Sequence, residues 1–248
     1  INEKDGSVIE SLAERITGRY TNKKVINPET KDVIIEKGEL ITEQIADKNR
    51  EKYDVAVLCI KADDSNEEEV EAMVNQAVDT FGKIDILVNN AGICNDSLLL
   101  DKSVPNFRRI LDVNLIGTFL CSKYVAKVML DRGGGKIINI ASTNAIDTYY
   151  PESCDYDASK AGVISLTHNL AREFSPDISV NCVCPGWVKT DMNEELSIEQ
   201  IREEENKILL HRFAEPEEIA KVVVFLASSK ASYINDSIIR VDGGKFNG

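Results

Sequence analysis

The stretch Ile84-Asp85-Ile86-Leu87-Val88-Asn89-Asn90-Ala91-Gly92 indicates which class of fold the chain adopts. Residues 84–88 are almost all apolar, which is typical of a strand in a parallel sheet that helices cover on both faces. The strand runs into a small polar turn, and ligands of an open α/β sheet bind beyond the carboxyl ends of its strands. The Ala-Gly pair would let a flat ligand approach the backbone, although an ordinary tight turn could contain the same residues.

Apolar strands alternate with amphipathic helices on both sides of this stretch, from about residue 54 onward. Further strands are predicted at 55–60, 137–140, 178–183 and 238–241. Helices are predicted from a capping box at residues 65–68 to Gly82, from Pro105 towards Leu130, over 156–174 and over 216–227. This alternation predicts right-handed crossovers and an α/β fold with a doubly wound, mostly parallel, Rossmann-like sheet.

Residues 1–53 do not share this alternation. Two short apolar runs, Lys24-Val25-Ile26 and Val33-Ile34-Ile35, flank a polar turn and predict a β-hairpin. We therefore divide the chain into an atypical N-terminal segment, 1–53, which replaces the first βαβ unit, and a second region, 54–248.

The composition excludes several classes of protein. The 248 residues are 43% hydrophobic and carry a net charge of −13, which argues against a disordered chain and against a nucleic-acid partner. No uninterrupted apolar run approaches a membrane span, so no membrane partner is expected. Six cysteines without a C-x-x-C pair, with only two histidines, predict reduced thiols and no metal site. The first residues do not resemble a signal peptide, so we expect a cytoplasmic protein.

Four polar residues stand out as candidates for chemistry. Tyr156 and Lys160 are four residues apart and share one helix face, where an ammonium can stabilise a phenolate; a surface Tyr-Lys pair is the alternative. Ser142 follows a strand end, where its hydroxyl could bind a substrate oxygen or simply open a loop. Asn114 lies within an apolar helical stretch, so its amide needs a partner, for a structural or a catalytic purpose.

These motifs in this order resemble the short-chain dehydrogenase/reductase family. They are Asn89-Asn90-Ala91-Gly92, Asn114, Ser142, Tyr156-x-x-x-Lys160 and Pro185-Gly186-x-Val188-x-Thr190. The resemblance extends from about residue 55 to 244 and is closest to the bacterial 3-oxoacyl-(acyl-carrier-protein) reductase group. It implies reduction of a ketone, such as that of a 3-oxoacyl thioester, by NAD(P)H, with a small-molecule or carrier-protein-linked substrate.

The resemblance also implies a role for each residue. Tyr156 would donate a proton to the carbonyl oxygen, Lys160 would lower the pKa of Tyr156 and bind the nicotinamide ribose, Ser142 would polarise the carbonyl, and Asn114 would anchor a water relay. The implied cofactor contacts are Asp63, Asn90, Ala91, Gly92, Tyr156, Lys160, Pro185, Gly186, Val188 and Thr190. NADP(H) is favoured over NAD(H), and a homotetramer or homodimer is expected. Residues 191–212 would form a substrate lid, with 203–205 as its solvated face.

The N-terminal segment departs from the family pattern. The family's glycine-rich phosphate turn is missing from it, since Thr17-Gly18 is the one candidate and Asn22 and Lys24 occupy the later glycine positions. Residues 1–50 instead resemble a fragment of the β′ subunit of bacterial RNA polymerase. Two alternatives to an active reductase follow: a catalytically incompetent relic without the phosphate site, and a polymerase-associated module.

Overall fold

The computed structural model describes residues 25–26, 33–35, 58–193 and 196–244. The chain divides into two units, Ile1–Ala62 and Asp63–Gly248. In the first unit, strands β1 (Val25–Ile26) and β2 (Val33–Ile35) pair in antiparallel fashion. The predicted hairpin is therefore confirmed. The predictions for Thr17-Gly18 and for residues 55–57 lie outside the described residues, and the boundary at residue 53 stays a prediction.

The second unit is built on a parallel sheet of four strands in the order β3-β4-β5-β6. These strands are β3 (Ile86–Asn89), β4 (Gly135–Ile140), β5 (Ile178–Pro185) and β6 (Ile238–Val241). The helices are α1 (Glu67–Phe81), α2 (Val104–Leu111), α3 (Gly117–Asp131), α4 (Cys154–Phe174), α5 (Ile198–Asn206) and α6 (Pro216–Ala227). A π-helical turn, Asp112–Ile116, joins α2 to α3.

Helices cover both faces of the central strands, as neighbouring residues of β4 show. Ile137 packs in a core with residues of α1, α3 and α4, including Val70 and Met129. Ile138 points to the opposite face and packs with Leu226 of α6 and with Val183. Because successive side chains of a strand point to opposite faces, these two clusters confirm the predicted doubly wound α/β sheet.

Strand β3 departs from the predicted two-sided burial. Ile86 and Val88 are 46% and 40% exposed, whereas Asn89 is buried. Within the described residues β3 pairs only with β4, so it is the edge of this sheet and no described strand lies on its other side. The start of α1 also differs from the prediction, because Asn66 rather than Ser65 caps it by accepting hydrogen bonds from two backbone N–H groups.

One helical segment among the described residues, Val104–Asp131, is long and apolar enough to cross a membrane by length and composition. Leu120, Val125 and Met129 of this segment belong to the core that packs on the sheet. Packing of this kind is expected of a core helix, which can have the same length and apolar composition as a membrane-spanning helix. All six cysteines are free, and four of them are buried, as predicted for reduced thiols.

Candidate active site

Polar and small residues meet at the carboxyl edge of the sheet. Strands β3, β4 and β5 are parallel and in register, so the segments that leave them emerge on the same side. These segments are Asn90–Gly92, Ala141–Ser142 and Gly186–Val188. Helix α4 begins beside them after a short 3₁₀ turn at Pro151–Ser153, and it carries Tyr156 and Lys160 in its first two turns.

Lys160 is buried at the centre of this arrangement. Its Nζ donates a hydrogen bond to the carbonyl oxygen of Ile140 at 2.9 Å and lies 5.7 Å from the ring centroid of Tyr156. A Cβ atom at position 92 would be 3.2 Å from this Nζ and 3.4 Å from Oδ1 of Asn114. The absence of a side chain at Gly92 therefore lets the loop after β3 lie close to the ammonium.

Burial also shifts the pKa of Lys160 and that of Tyr156. It lowers the pKa of Lys160 from 10.5 to about 8, an effect that the nearby Cys182 and Cys184 partly offset. It raises the pKa of Tyr156 from 10.0 to about 12, although a hydrogen bond with Ser142 acts in the opposite direction. The net rise comes from burial, and the expectation that Lys160 lowers the pKa of Tyr156 stays a prediction.

Asn114 connects the loop after β3 to α4. Its Oδ1 accepts a hydrogen bond from the backbone N–H of Ile93 at 2.8 Å, and its Nδ2 donates to the carbonyl oxygen of Ile93 and to Oγ of Ser159, both at 3.0 Å. Ser159 in turn donates to the carbonyl oxygen of Tyr156 at 2.6 Å. The fully buried amide is satisfied, as the sequence required. It stands in the π-helical turn, a geometry that frequently marks functional sites.

Ser142 is buried where β4 ends. Its Oγ accepts a hydrogen bond from the backbone N–H of Asn144 at 3.2 Å and so begins a short 3₁₀ turn. The same hydroxyl is near enough to the Tyr156 phenol to act against the rise in the pKa of Tyr156. The structure therefore brings all four predicted catalytic side chains, Asn114, Ser142, Tyr156 and Lys160, to one edge of the sheet.

The predicted cofactor contacts fall into two groups. Asn90, Ala91, Gly92, Pro185, Gly186 and Val188 lie at the same edge of the sheet as Tyr156 and Lys160, and the exposed Thr190 follows Val188 by two residues. Asp63 forms the second group, and its carboxylate accepts hydrogen bonds from Ser65 and lies 3.3 Å from Arg109. These Ser65 hydrogen bonds, more than Arg109, lower the pKa of Asp63.

The described residues fit the nicotinamide end of a dinucleotide. Within them, Lys160 uses one N–H donor on Ile140, so its ammonium has two further donors for ribose hydroxyls. Gly186 also keeps the strand end small, since a Cβ there would lie 2.8 Å from Cβ of Asp242. The phosphate-binding part of the family pattern falls in residues that the structure does not describe. No group of three or more metal-ligating side chains occurs in the described part of the chain.

A buried carboxylate lies within the predicted lid. Residues 203–205 were expected to form a solvated face, but Glu204 of α5 is buried. Its Oε2 accepts hydrogen bonds from the Tyr150 hydroxyl at 2.7 Å and from Nε1 of Trp187 at 2.9 Å. Trp187 also stacks on Phe213 with the ring centroids 5.3 Å apart. The tryptophan directly after the Pro185-Gly186 turn could have indicated a buried acceptor such as this carboxylate, because a buried indole N–H needs an acceptor.

Comparison with known proteins gives a consistent assignment. The sequence profile of the family described as enoyl-(acyl carrier protein) reductase matches residues 32–245. The 3-oxoacyl-[acyl-carrier-protein] reductase of Synechocystis sp. is 41% identical over 189 residues, 75% of each chain. That of Staphylococcus aureus is 39% identical over 213 residues, covering 85% of this chain and 84% of its own. The ligand-free aldohexose dehydrogenase of Thermoplasma acidophilum superposes with a TM-score of 0.70 at 34% identity, over 75% of this chain and 76% of its own.

These matches bear on the N-terminal segment as well. The family match begins at residue 32, so it includes the last part of the segment that we separated at residue 53. None of these matches supports the resemblance of residues 1–50 to the RNA polymerase β′ subunit. The polymerase-associated alternative therefore rests on the sequence resemblance alone, and we do not pursue it.

Proposed function

Because the chain belongs to the short-chain dehydrogenase/reductase family of oxidoreductases, we propose that it reduces the ketone of a 3-oxoacyl thioester to the alcohol. The observation that carries this proposal is the convergence of Ser142, Tyr156, Lys160 and Asn114 at the carboxyl edge of the sheet. The names of relatives that share about 40% of their residues support the thioester class and a substrate linked to acyl carrier protein.

Ser142 and Tyr156 have different roles at the carbonyl group. Ser142 donates a hydrogen bond to the carbonyl oxygen and holds it beside the phenol of Tyr156. Tyr156 gives its proton to that oxygen, and NAD(P)H supplies the hydride that the carbonyl carbon receives. A phenol whose pKa is about 12 is protonated at neutral pH, so the proton donor is ready before substrate binds.

Lys160 and Asn114 serve this step indirectly. The two free N–H donors of Lys160 bind the nicotinamide ribose, and its ammonium stabilises the phenolate that remains after proton transfer. Asn114 holds the Gly92 loop against Lys160 through its hydrogen bonds to Ile93. In this proposal Pro185, Gly186, Val188 and Thr190 border the nicotinamide, Asn90, Ala91 and Gly92 border the adenine ribose, and Asp63 contacts the adenine. NADP(H) is the proposed cofactor.

Cofactor binding and turnover test the proposal separately. NADPH and NADH are titrated against the fluorescence of the single tryptophan, Trp187, which follows the proposed nicotinamide contacts. Oxidation of the reduced cofactor by an acetoacetyl thioester is then followed by the loss of nicotinamide absorbance. In parallel, reduction of the oxidised cofactor by an aldohexose is followed by the gain of that absorbance. We expect saturable NADPH binding and turnover of the thioester. Tyr156→Phe should lower the turnover rate by about 100-fold or more and leave NADPH binding unchanged.

The matched control is Tyr149→Phe, which removes the hydroxyl of an exposed tyrosine in the segment before α4 and should keep full activity. If neither cofactor binds, the chain is the catalytically incompetent relative and the reductase proposal fails. Turnover of the aldohexose alone would keep the family chemistry but overturn the thioester assignment.

We also propose a cytoplasmic homotetramer or homodimer. The support is apolar surface in α6 and in the connection to β6, where Val224, Phe225 and Tyr233 are exposed. Light scattering of the purified protein measures the assembly directly. A monomer at micromolar concentration would contradict the proposal.

A further inference from the structure

A buried ion pair stands directly beside the proposed proton donor. Nζ of Lys102 lies 2.8 Å from Oδ1 of Asp155, and the two side chains are 2% and 0% exposed. Lys102 lies in the connection from β3 to α2, whereas Asp155 belongs to the first turn of α4 and immediately precedes Tyr156. The pair therefore joins two segments that are 53 residues apart in sequence.

Each partner of the pair also holds a backbone group. Oδ1 of Asp155 accepts a hydrogen bond from the backbone N–H of Tyr156 at 2.9 Å. Nζ of Lys102 donates to the carbonyl oxygen of Asn95 at 2.8 Å. A third connection runs in parallel, because the backbone N–H of Ser97 donates to the carbonyl oxygen of Glu152 at 3.0 Å. The first turn of α4 is thus fastened to the loop that follows Gly92.

Stability alone is a poor explanation for this pair. Desolvation of two charges often outweighs their attraction, and apolar residues of similar volume can replace a buried ion pair without loss of stability. Oδ2 of Asp155 is buried and has no hydrogen-bond partner among the described residues, which adds to the cost. An unsatisfied buried carboxylate oxygen lowers stability, so the pair is better explained by what it positions.

We infer that Lys102 and Asp155 are positioning residues for Tyr156. The ion pair fixes the start of α4 against the loop 93–97, and so it sets the position of the phenol relative to Ser142 and to the bound carbonyl. The inference rests on the proposed reductase function for its kinetic consequence. Its structural part, the fastening of the two segments, does not depend on turnover.

The test compares three variants of the full chain. Lys102→Met leaves the Asp155 carboxylate unpaired, Lys102→Met/Asp155→Leu replaces the pair by an apolar contact, and Lys102→Arg keeps the charge. We expect the double variant to unfold at no lower denaturant concentration than the wild type, yet to lose about 10–100-fold in kcat with little change in KM, because small displacements of reacting groups are costly. Lys102→Arg should recover kcat to within about threefold of the wild type.

Hydrogen–deuterium exchange gives a readout that needs no activity. Peptides that cover 93–102 and 150–160 should exchange faster in Lys102→Met and in the double variant, and a peptide that covers α6 should not change. The control is Lys83→Met, which removes the exposed ion pair with Asp85 and should alter neither exchange nor kinetics.

Two results would overturn the inference. Wild-type exchange in the double variant would show that the pair does not fasten the segments, whether or not the protein turns over a thioester. Faster exchange with an unchanged kcat would show that the fastening does not position Tyr156. A wild type without any turnover would refute the proposed function, whereas the exchange data would still decide the structural part.

Discussion

Replacement of Asn114 by alanine tests the connection between the loop after β3 and helix α4. The substitution removes three hydrogen bonds of a fully buried amide, two to the backbone of Ile93 and one to Ser159. It also deletes the contact that holds Gly92 close to Lys160. We expect a lower free energy of unfolding, weaker cofactor binding and slower turnover.

The geometry sets the size of the loss in stability. A hydrogen bond contributes a net of about 0.5–1.5 kcal/mol, so three would give about 1.5–4.5 kcal/mol. Ile93 lies in a partly exposed loop, so its N–H and C=O groups can reach water after a small shift. Ser159 keeps its own hydrogen bond to Tyr156. These two compensations place the expected cost at about 2–3 kcal/mol.

Urea unfolding followed by the fluorescence of the single tryptophan measures this cost. The slope of the free energy against urea concentration should equal that of the wild type, because the surface exposed on unfolding hardly changes. Asn169→Ala is the control: it truncates an exposed asparagine of α4 that makes one hydrogen bond, to the carbonyl oxygen of Ser165. Its effect should stay within about 0.5 kcal/mol. If Asn114→Ala costs no more than this control, the amide does not connect the two segments and our reasoning about the site is wrong.

Three further predictions follow from the pKa values, the turn glycines and the buried lid carboxylate. Burial lowers the pKa of Lys160 from 10.5 to about 8, so between these pH values the unfolded state binds one more proton than the folded state. The unfolding free energy of the wild type should therefore rise by about 3 kcal/mol, relative to that of Lys160→Met, as the pH rises from 8 to 10.5. Parallel pH profiles of the two proteins would contradict this. A Cβ at Gly134 would overlap a backbone carbonyl oxygen, whereas one at Gly133, with a similar φ, meets nothing. Thermal unfolding should therefore show a loss of about 1–2 kcal/mol for Gly133→Ala and a much larger one for Gly134→Ala, and equal losses would refute the steric argument. Glu204→Leu should cost about 2–4 kcal/mol and shift the tryptophan emission because it leaves the Tyr150 hydroxyl, the Trp187 indole N–H and the Lys207 ammonium without this acceptor. Glu203→Gln at the neighbouring exposed position should do neither.

Hydrophobic periodicity predicted the elements of the second unit well where a local signal fixes their ends. Helix α6 begins at Pro216, whose ring suits the first turn of a helix, and it ends at Ala227 as predicted. Strand β4 begins at Gly135, two residues before the apolar run that predicted it, because Gly135 pairs with Ile178 of β5. The ends of a strand depend on its partner strand, which the hydropathy pattern does not contain.

Polar side chains inside the sheet were harder to interpret. Asn89 belongs to the Asn-Asn-Ala-Gly motif, which we assigned to the turn, but its Nδ2 donates to Oδ1 of Asn139 at 2.8 Å and to Oγ of Ser122 at 3.0 Å. Asn139 is its direct neighbour in the β3–β4 register and donates in turn to Thr167 at 2.9 Å. Asn139, taken alone in the sequence, is an isolated polar residue in an apolar run. Only the register shows that they satisfy one another.

The pKa of Tyr156 shows what spacing can and cannot predict. The interval of four residues predicts that the phenol and the ammonium of Lys160 are close, and the structure confirms it. Whether the phenol then ionises more or less readily depends on burial and on where Nζ lies relative to the hydroxyl, and here burial raises the pKa of Tyr156 to about 12. A lowered pKa would suit the oxidation of an alcohol, which needs a phenolate to accept the proton. The phenol is protonated at neutral pH in either case, and delivery of its proton to a ketone needs the phenolate to be stabilised as it forms, which is the role proposed for Lys160.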